Sequence, residues 1–364
     1  MTTGTAGLQS EEHTLAQLAR SQRRRRFRLN LEGYVLILPA VLVLGIFHFL
    51  PIIYAFVLSL YRAPIFKGLL PAPERFTGFN NYGRILNDDI FWKVLGNTIW
   101  YALGSVVLGL ATALGLALLL NRPIRGIGIY RTIFFLPYVT SLLVAGMIWR
   151  WLFRSPNQNG PGGLVNSLIV GVGGKPVDFL GESRGIFQLA FNIQPVINSA
   201  NPDDLGSKLI GGLTSFLGGP SLALFTIILL AIWSVVGFNT VVFIAGLQNV
   251  PKELYDAARV DGAQGWTLFK NITWPLISPT TFFLAIVSTI GAFQAFTTVF
   301  TTSIDRLGGP DNSTNVMTLF FYTAAFRYTQ LGLSYASTTA IILFFILVVL
   351  SIFQTRLAAS RVNY

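Results

Sequence analysis

Leu254-Tyr-Asp-Ala-Ala-Arg-Val-Asp-Gly-Ala263, continued by Gln264 to Pro275, is a polar interruption between two hydrophobic runs that are each long enough to cross a bilayer. Leu254, Ala257, Ala258 and Asp261 recur at i, i+3, i+4 and i+7, so they share one helical face, and the two alanines keep that face low enough for another protein's backbone to come close. Gly262 permits a turn that a residue with a β-carbon resists. Beyond it Trp266, Phe269 and Ile272 offer apolar anchors, and Pro275 suits the first turn of a following helix. The spacing predicts a short helix, a break and a re-entry, carried on a membrane domain.

Working outward, the 364 residues are 52% hydrophobic and 11% charged, against about a quarter charged in ordinary soluble domains. Six stretches contain no Asp, Glu, Lys or Arg: 33–61, 98–121, 132–149, 219–251, 275–304 and 328–355. Most reach the ~20 residues that a helix needs to span ~30 Å of hydrocarbon, the third being the shortest. That length and the absence of period-two alternation predict helices and not strands. The expected fold class is an all-α polytopic membrane protein with six transmembrane helices.

A net charge of +11 raises the question of a nucleic-acid partner, and the distribution of the charge answers it. With the N-terminus inside, segments 1–33, 121–131, 248–274 and 354–364 hold 14 of the 26 Lys and Arg, while the longer outer segments hold the other 12 together with nine of the 15 acids. This positive-inside pattern predicts both termini in the cytoplasm. Arg23 to Arg26 with Arg28 then read as an anchor beside anionic membrane lipid, and no nucleic-acid partner is expected. A long apolar run follows them with no small-residue cleavage pattern, which predicts a retained helix in place of a signal peptide. Cysteine is absent, so disulfides, thiol chemistry and Cys-ligated metals are excluded.

Asp256-Ala257-Ala258, three residues, Gly262, nine residues, Ile272, one residue and Trp274-Pro275 together resemble the cytoplasmic EAA loop of binding-protein-dependent ABC importer permeases, written EAA-x3-G-x9-I-x-L-P. The chain departs from that pattern with Asp256 for the glutamate, which keeps the charge on a shorter arm, and Trp274 for the leucine, which keeps an apolar residue. Phe76-Thr-Gly-Phe-Asn-Asn-Tyr82, the Gly-Gly-Pro within Asp305 to Thr314, Tyr322 to Phe326 and Leu331 to Ser337 resemble the sugar-type branch, the maltose and glycerol-phosphate permeases. The likeness runs from about Tyr34 to Arg356, with 183–218 as an additional outer insertion.

That resemblance implies a type I ABC importer transmembrane fold and a loop helix that seats in an ATPase subunit. The coupling residues it implies are Glu253, Leu254, Asp256, Ala257, Ala258, Asp261, Gly262, Ala263, Ile272 and Pro275. The partners it implies are a second, different permease in a heterodimer, an ATP-binding cassette ATPase dimer and an extracytoplasmic solute-binding protein, in the plasma (inner) membrane of a bacterium or archaeon. The expected organisation is a basic cytoplasmic tail at 1–32, a first transmembrane helix and outer segment at 33–97, the importer transmembrane domain at 98–355 with its coupling loop at about 251–275, and a cytoplasmic tail at 356–364.

Trp233 is the tryptophan that falls near mid-depth of its run, whereas the other six lie near an interface. Phe238 and Asn239 follow it, and the next run carries Ser288, Thr289, Phe293, Gln294, Thr297 and Thr298. Uncharged hydrogen-bonding groups mixed with aromatic faces suit a neutral sugar, since hydroxyls want amides and the apolar ring face wants stacking. The same groups also serve helix-to-helix hydrogen bonding.

Nothing in the chain supplies energy. The Gly174-Lys175 pair is followed by proline, so no phosphate-binding loop is present and ATP hydrolysis is expected in separate partner subunits. The chain itself is not expected to be an enzyme or to need a cofactor. The spans carry no carboxylate and no repeat is evident, which speaks against an ion-coupled secondary carrier, the alternative reading.

Overall fold

The computed structural model describes residues 30–62, 75–122, 125–157, 160, 162–191, 216–326 and 332–361. The arginine run at 23–28, Leu331 and most of the insertion expected at 183–218 lie outside the described residues. The chain forms two units, Met1–Val57 and Leu58–Tyr364.

The described part of the first unit belongs to α1 (Asn30–Ser59), apolar and long enough to cross a membrane. At Gly45–Phe49 it widens into a π turn, with the Leu50 N–H reaching back to Gly45 O. Pro51 follows directly, lacking an N–H and crowding the carbonyl four residues back, and the extra residue in the turn relieves that crowding.

In the second unit β1 (Tyr61–Arg62) pairs antiparallel with β2 (Arg75–Phe76). Asn81, in α2 (Asn80–Leu86), donates to the carbonyls of Ser59 at 2.8 Å and Tyr61 at 3.0 Å. Asp88 caps α3 (Asp89–Leu120) by accepting from the Ile90 N–H at 2.9 Å. Then come α4 (Ile127–Val139), α5 (Leu142–Leu152), the short α6 (Leu164–Gly171) and α7 (Ile186–Phe191), and α8 (Leu222–Gln248). The order closes with α9 (Lys252–Val260), α10 (Gly265–Phe293), α11 (Thr297–Thr302), α12 (Met317–Phe326) and α13 (Gly332–Arg361).

Of the long apolar helices α8 is the most buried, and α3, α4, α5, α10 and α11 contact it. Its first half joins Leu224, Ile227 and Ile228 to Tyr101, Met317 and Phe320, and its second half joins Phe243, Ile244 and Leu247 to Ala113, Ala117 and Leu284. Lipid is as apolar as these side chains, so helices gain from each other only by close contact, which small residues permit. Gly104 admits Ile228, whose Cδ1 would stand 3.0 Å from a β-carbon there, and the Ala113 carbonyl accepts from Thr240 Oγ1 at 3.4 Å. The closest approach to the glycines of α8 is at Gly237, where a β-carbon would lie 2.2 Å from the Phe134 carbonyl oxygen of α4. Gly115, on the same helix as Gly104, faces open space.

Two of the six expected runs are not single helices. The stretch 132–149 is divided between α4 and α5, which meet at 94°. Pro137 withholds an N–H from the end of α4, and Thr140 and Ser141 are extended, with ψ of 137° and 120°. The stretch 275–304 is likewise divided, because α10 ends at Phe293 and Gln294 to Phe296 lead into α11. The Ala295 carbonyl freed by that break is taken by the Thr318 hydroxyl. Among the described residues five helices are long and apolar enough to cross a membrane, six if the bent pair α4 and α5 counts as one span.

Gly237→Ala should force α4 away from α8 and destabilise the fold by about 1–3 kcal/mol, because backbone cannot yield as a side chain can. Gly115→Ala should be neutral or stabilise slightly, since it gains helix propensity without a clash. Thermal unfolding of the two variants in detergent checks this, and equal midpoints would contradict it.

Candidate functional site

The structure of α9 follows from its own residues. Glu253 lies in the first turn and Arg259 in the last, the favourable ends for their charges. The helix stops where Gly262 takes φ of +83°, with Ala263 N–H bonding to Ala258 O at 2.8 Å and Gly262 N–H to Arg259 O at 3.0 Å. This is a Schellman cap, with Gly262 in the left-handed position that only glycine adopts without strain. No atom lies within 4 Å of a β-carbon at Gly262, so the requirement there is one of backbone alone.

One side chain moors α9 to the bundle. Tyr255 is half-buried against the cluster of Phe243, Leu247 and Ile277, and its hydroxyl lies 3.2 Å from Thr273 Oγ1. Thr273 is buried and belongs to the π turn Phe269–Thr273 within α10. That turn carries the helix past Trp274 and Pro275 without a stop. The expected re-entry therefore begins at Gly265, well ahead of Pro275.

Most of the elbow formed by α9 and the start of α10 is open. Val260 is 87% exposed, Trp266 73% and Leu254 41%, and Glu253, Asp256, Ala257, Asp261, Gly262 and Pro275 are exposed as well. Ala258, Ala263 and Ile272 are half-buried. The face proposed from spacing thus divides, with Ala258 half-buried while Leu254, Ala257 and Asp261 are exposed. Trp266, expected as an anchor, is instead exposed and stacks on Phe269 at 5.2 Å. Asp256 and Arg259 pair at 3.0 Å, but both are exposed and solvent screening leaves the pair little weight in stability. The result is an apolar and acidic surface on a stiffly capped helix, suited to receiving another protein.

The residues expected along a solute pathway do not form one group. Trp233 is open on α8 with its ring 6.3 Å from that of Trp149 on α5, whose indole N–H donates to Thr226 O at 3.0 Å. Phe238 is half-buried and stacks on Tyr138 of α4 at 5.0 Å and 22°. Asn239 is buried, and so is Phe293, which packs with Val299 and Phe320. Ser288 is half-buried beside the buried Thr289, whose hydroxyl accepts from Gln354 Nε2 at 3.1 Å. Gln294 is exposed at the end of α10 and Thr297 begins α11. Tyr138 and Trp149, which clasp α8 from the two sides of the α4–α5 bend, were not singled out for this region. Pro137 followed by Ser141 was the signal for that bend.

Comparison with known proteins places this geometry. Residues 105–363 match the family model described as binding-protein-dependent transport system inner membrane component. The lactose transport system permease protein LacF of Rhizobium radiobacter is 30% identical over 95% of this chain and 100% of its own length. The sn-glycerol-3-phosphate permease protein UgpA of Agrobacterium fabrum is 30% identical over 91% and 96%, and the trehalose/maltose permease protein MalF of Thermococcus litoralis 30% over 89% and 92%. A chain in the crystal structure of a bacterial ABC transporter involved in the import of the acidic polysaccharide alginate superposes with a TM-score of 0.64 at 19% identity, covering 94% of this chain and 100% of that one. At that identity the likeness is one of fold, the transmembrane fold of ABC importers.

Gly262→Ala should fray the end of α9, since a residue with a β-carbon loses about 1–2 kcal/mol in the left-handed conformation. Hydrogen exchange should speed up at the amides of residues 262 and 263 while the unfolding midpoint holds. Unchanged exchange would show that the cap does not depend on glycine.

Proposed function

The chain belongs to the family of binding-protein-dependent transport system inner membrane components, and from that premise we propose that it forms half of the translocation pathway for a carbohydrate or sugar-like solute. It is a multi-pass membrane permease subunit, and the other half is a second permease. Lactose, sn-glycerol-3-phosphate and trehalose/maltose are the solutes for which its relatives are named, which supports the carbohydrate class. Aromatic and uncharged polar residues on α8 and α10 support it too, with Trp233, Phe238 and Ser288 as the contacts.

The observation that carries the reading is the exposed elbow of α9, capped by Gly262 and tied to α10 through Tyr255 and Thr273. It faces the cytoplasm and sits in an ATPase subunit. When ATP closes the ATPase dimer, α9 moves with it, and the Tyr255 contact passes the displacement to α10 and, through Val250 and Leu247, to α8. The two helices tilt and switch the pathway from outward to inward access. A loaded extracytoplasmic binding protein delivers the solute at the opposite end. The switch is a rigid-body, two-state transition, and its partner must prefer one state by several kcal/mol.

Ala257→Glu and Gly262→Arg place bulk and charge on the open side of the elbow and should lower ATP-driven uptake by about tenfold or more, the effect of losing ~1.4 kcal/mol of preference. Both variants should still insert and unfold at the wild-type midpoint. Uptake in proteoliposomes with the ATPase subunits checks this, and normal uptake by both would overturn the coupling assignment.

A further inference from the structure

At the N-terminal end of α8, remote from the elbow, the second unit has a cavity of about 300 Å³ that opens to the surface. Its floor is uncharged, with buried Ile227, Thr302 and Thr314, and its rim carries Arg150 at the end of α5, Arg154 just beyond, and Arg306. Three arginines and one carboxylate, Asp305, line the cavity, and Asp305 is committed to Arg150. Of the nearby acids, Asp311 is exposed on the loop past Pro310, makes no ion pair among the described residues and does not line the cavity, and the other two are engaged elsewhere. Asp178 accepts from the Ser155 hydroxyl and from Gly181 N–H at 2.9 Å, and Glu182 holds Arg184 at 2.7 Å. The Arg184 hydrogen bond keeps the Glu182 carboxyl below its usual range, so it stays charged and paired. Among the described residues Arg154 and Arg306 are therefore left without an acidic partner.

A second observation points the same way. Thr314 lines the cavity and is 2% exposed, yet its Oγ1 has no hydrogen-bond partner among the described residues. Buried hydroxyls normally find partners, so the Thr314 hydroxyl on the cavity wall marks a place where a ligand oxygen accepts from it. The loop is held in shape independently: Asn97 Nδ2 donates to the carbonyls of Asn312 at 2.8 Å and Asn315 at 3.0 Å, and Ser221 Oγ to that of Ser313 at 3.0 Å.

We propose that this cavity is an anion site, taking a carboxylate or phosphate carried by the transported solute. Free guanidinium forks match the paired oxygens of such groups, and the Thr302 and Thr314 hydroxyls with Ile227 below suit a single sugar ring. The volume, at the small end for ligand clefts, admits one such unit. The inference rests on the permease reading for the source of the anion, and it narrows the substrate to acidic or phosphorylated carbohydrates.

The test is a tryptophan-fluorescence titration of the transporter, purified with the subunits it assembles with, at low ionic strength. Trp149 and Trp151 flank Arg150 and report the site. D-glucuronate and inorganic phosphate should give saturable changes and D-glucose none. Arg154→Gln with Arg306→Gln, which leaves the Arg150 and Asp305 pair intact, should raise both apparent Kd values by about tenfold or more. Should the double variant fail to fold, Arg306→Gln alone, on an exposed loop, should shift them in the same direction. No anion response in the wild type, or an unaltered one in the variants, overturns the proposal. So does a variant that binds both anions normally but loses stimulation of the ATPase by the solute-binding protein, since the arginines then serve a protein contact. The titration reads the cavity whether or not uptake needs ATPase subunits, so its failure and that of the permease reading are separable.

Discussion

Backbone touching backbone at Gly237 is the constraint from which the rest of the second unit follows. With no β-carbon there, α8 lies against the Phe134 carbonyl of α4 at a distance that no side chain could share. Dispersion is the main attraction left between helices immersed in lipid, and it falls off steeply with separation. Close contact at Gly237, and at Gly104 and Ala113 on α3, turns α8 into a stiff central post. Tyr138 and Trp149 then lock the bent pair α4 and α5 to it by stacking on Phe238 and packing beside Trp233.

A stiff post gives the elbow its meaning. Helix α9 hangs between the end of α8 and the start of α10, and its cap and the Tyr255 contact with Thr273 leave it little freedom to move alone. A force applied to Leu254, Ala257 or Val260 is therefore borne by two long helices at once. Packed interiors respond to such a force by changing between discrete arrangements and not by bending gradually. The chain belongs to the binding-protein-dependent family of inner membrane components, and the proposed function takes the force from outside it.

Much of this was legible in the residues. Charge-free runs located the apolar helices, and the spacing from Asp256 to Pro275 located both the short helix and its glycine cap, because a left-handed cap leaves a local mark. The two breaks were not legible from charge. A run without Asp, Glu, Lys or Arg says how much chain lipid tolerates, not whether it is straight: Pro137 and Ser141 mark the bend at Thr140, whereas the stop at Gln294 goes with a neighbour distant in sequence, the Thr318 hydroxyl on the Ala295 carbonyl. For the same reason Asn239 and Phe293, equally plausible as pathway residues by type, are buried. The arginine-rimmed cavity joins Arg150 and Arg306 across more than a hundred residues, and no local pattern announces it.

The chain has no cysteine, so a single one placed at Val260, 87% exposed at the tip of α9, reports that position alone. In Val260→Cys, a membrane-impermeant maleimide should label inverted vesicles and not intact cells, and bound ATPase subunits should protect the thiol. Labelling from outside the cell, or labelling from the cytoplasmic face that ATPase subunits leave undiminished, would contradict a cytoplasmic docking elbow.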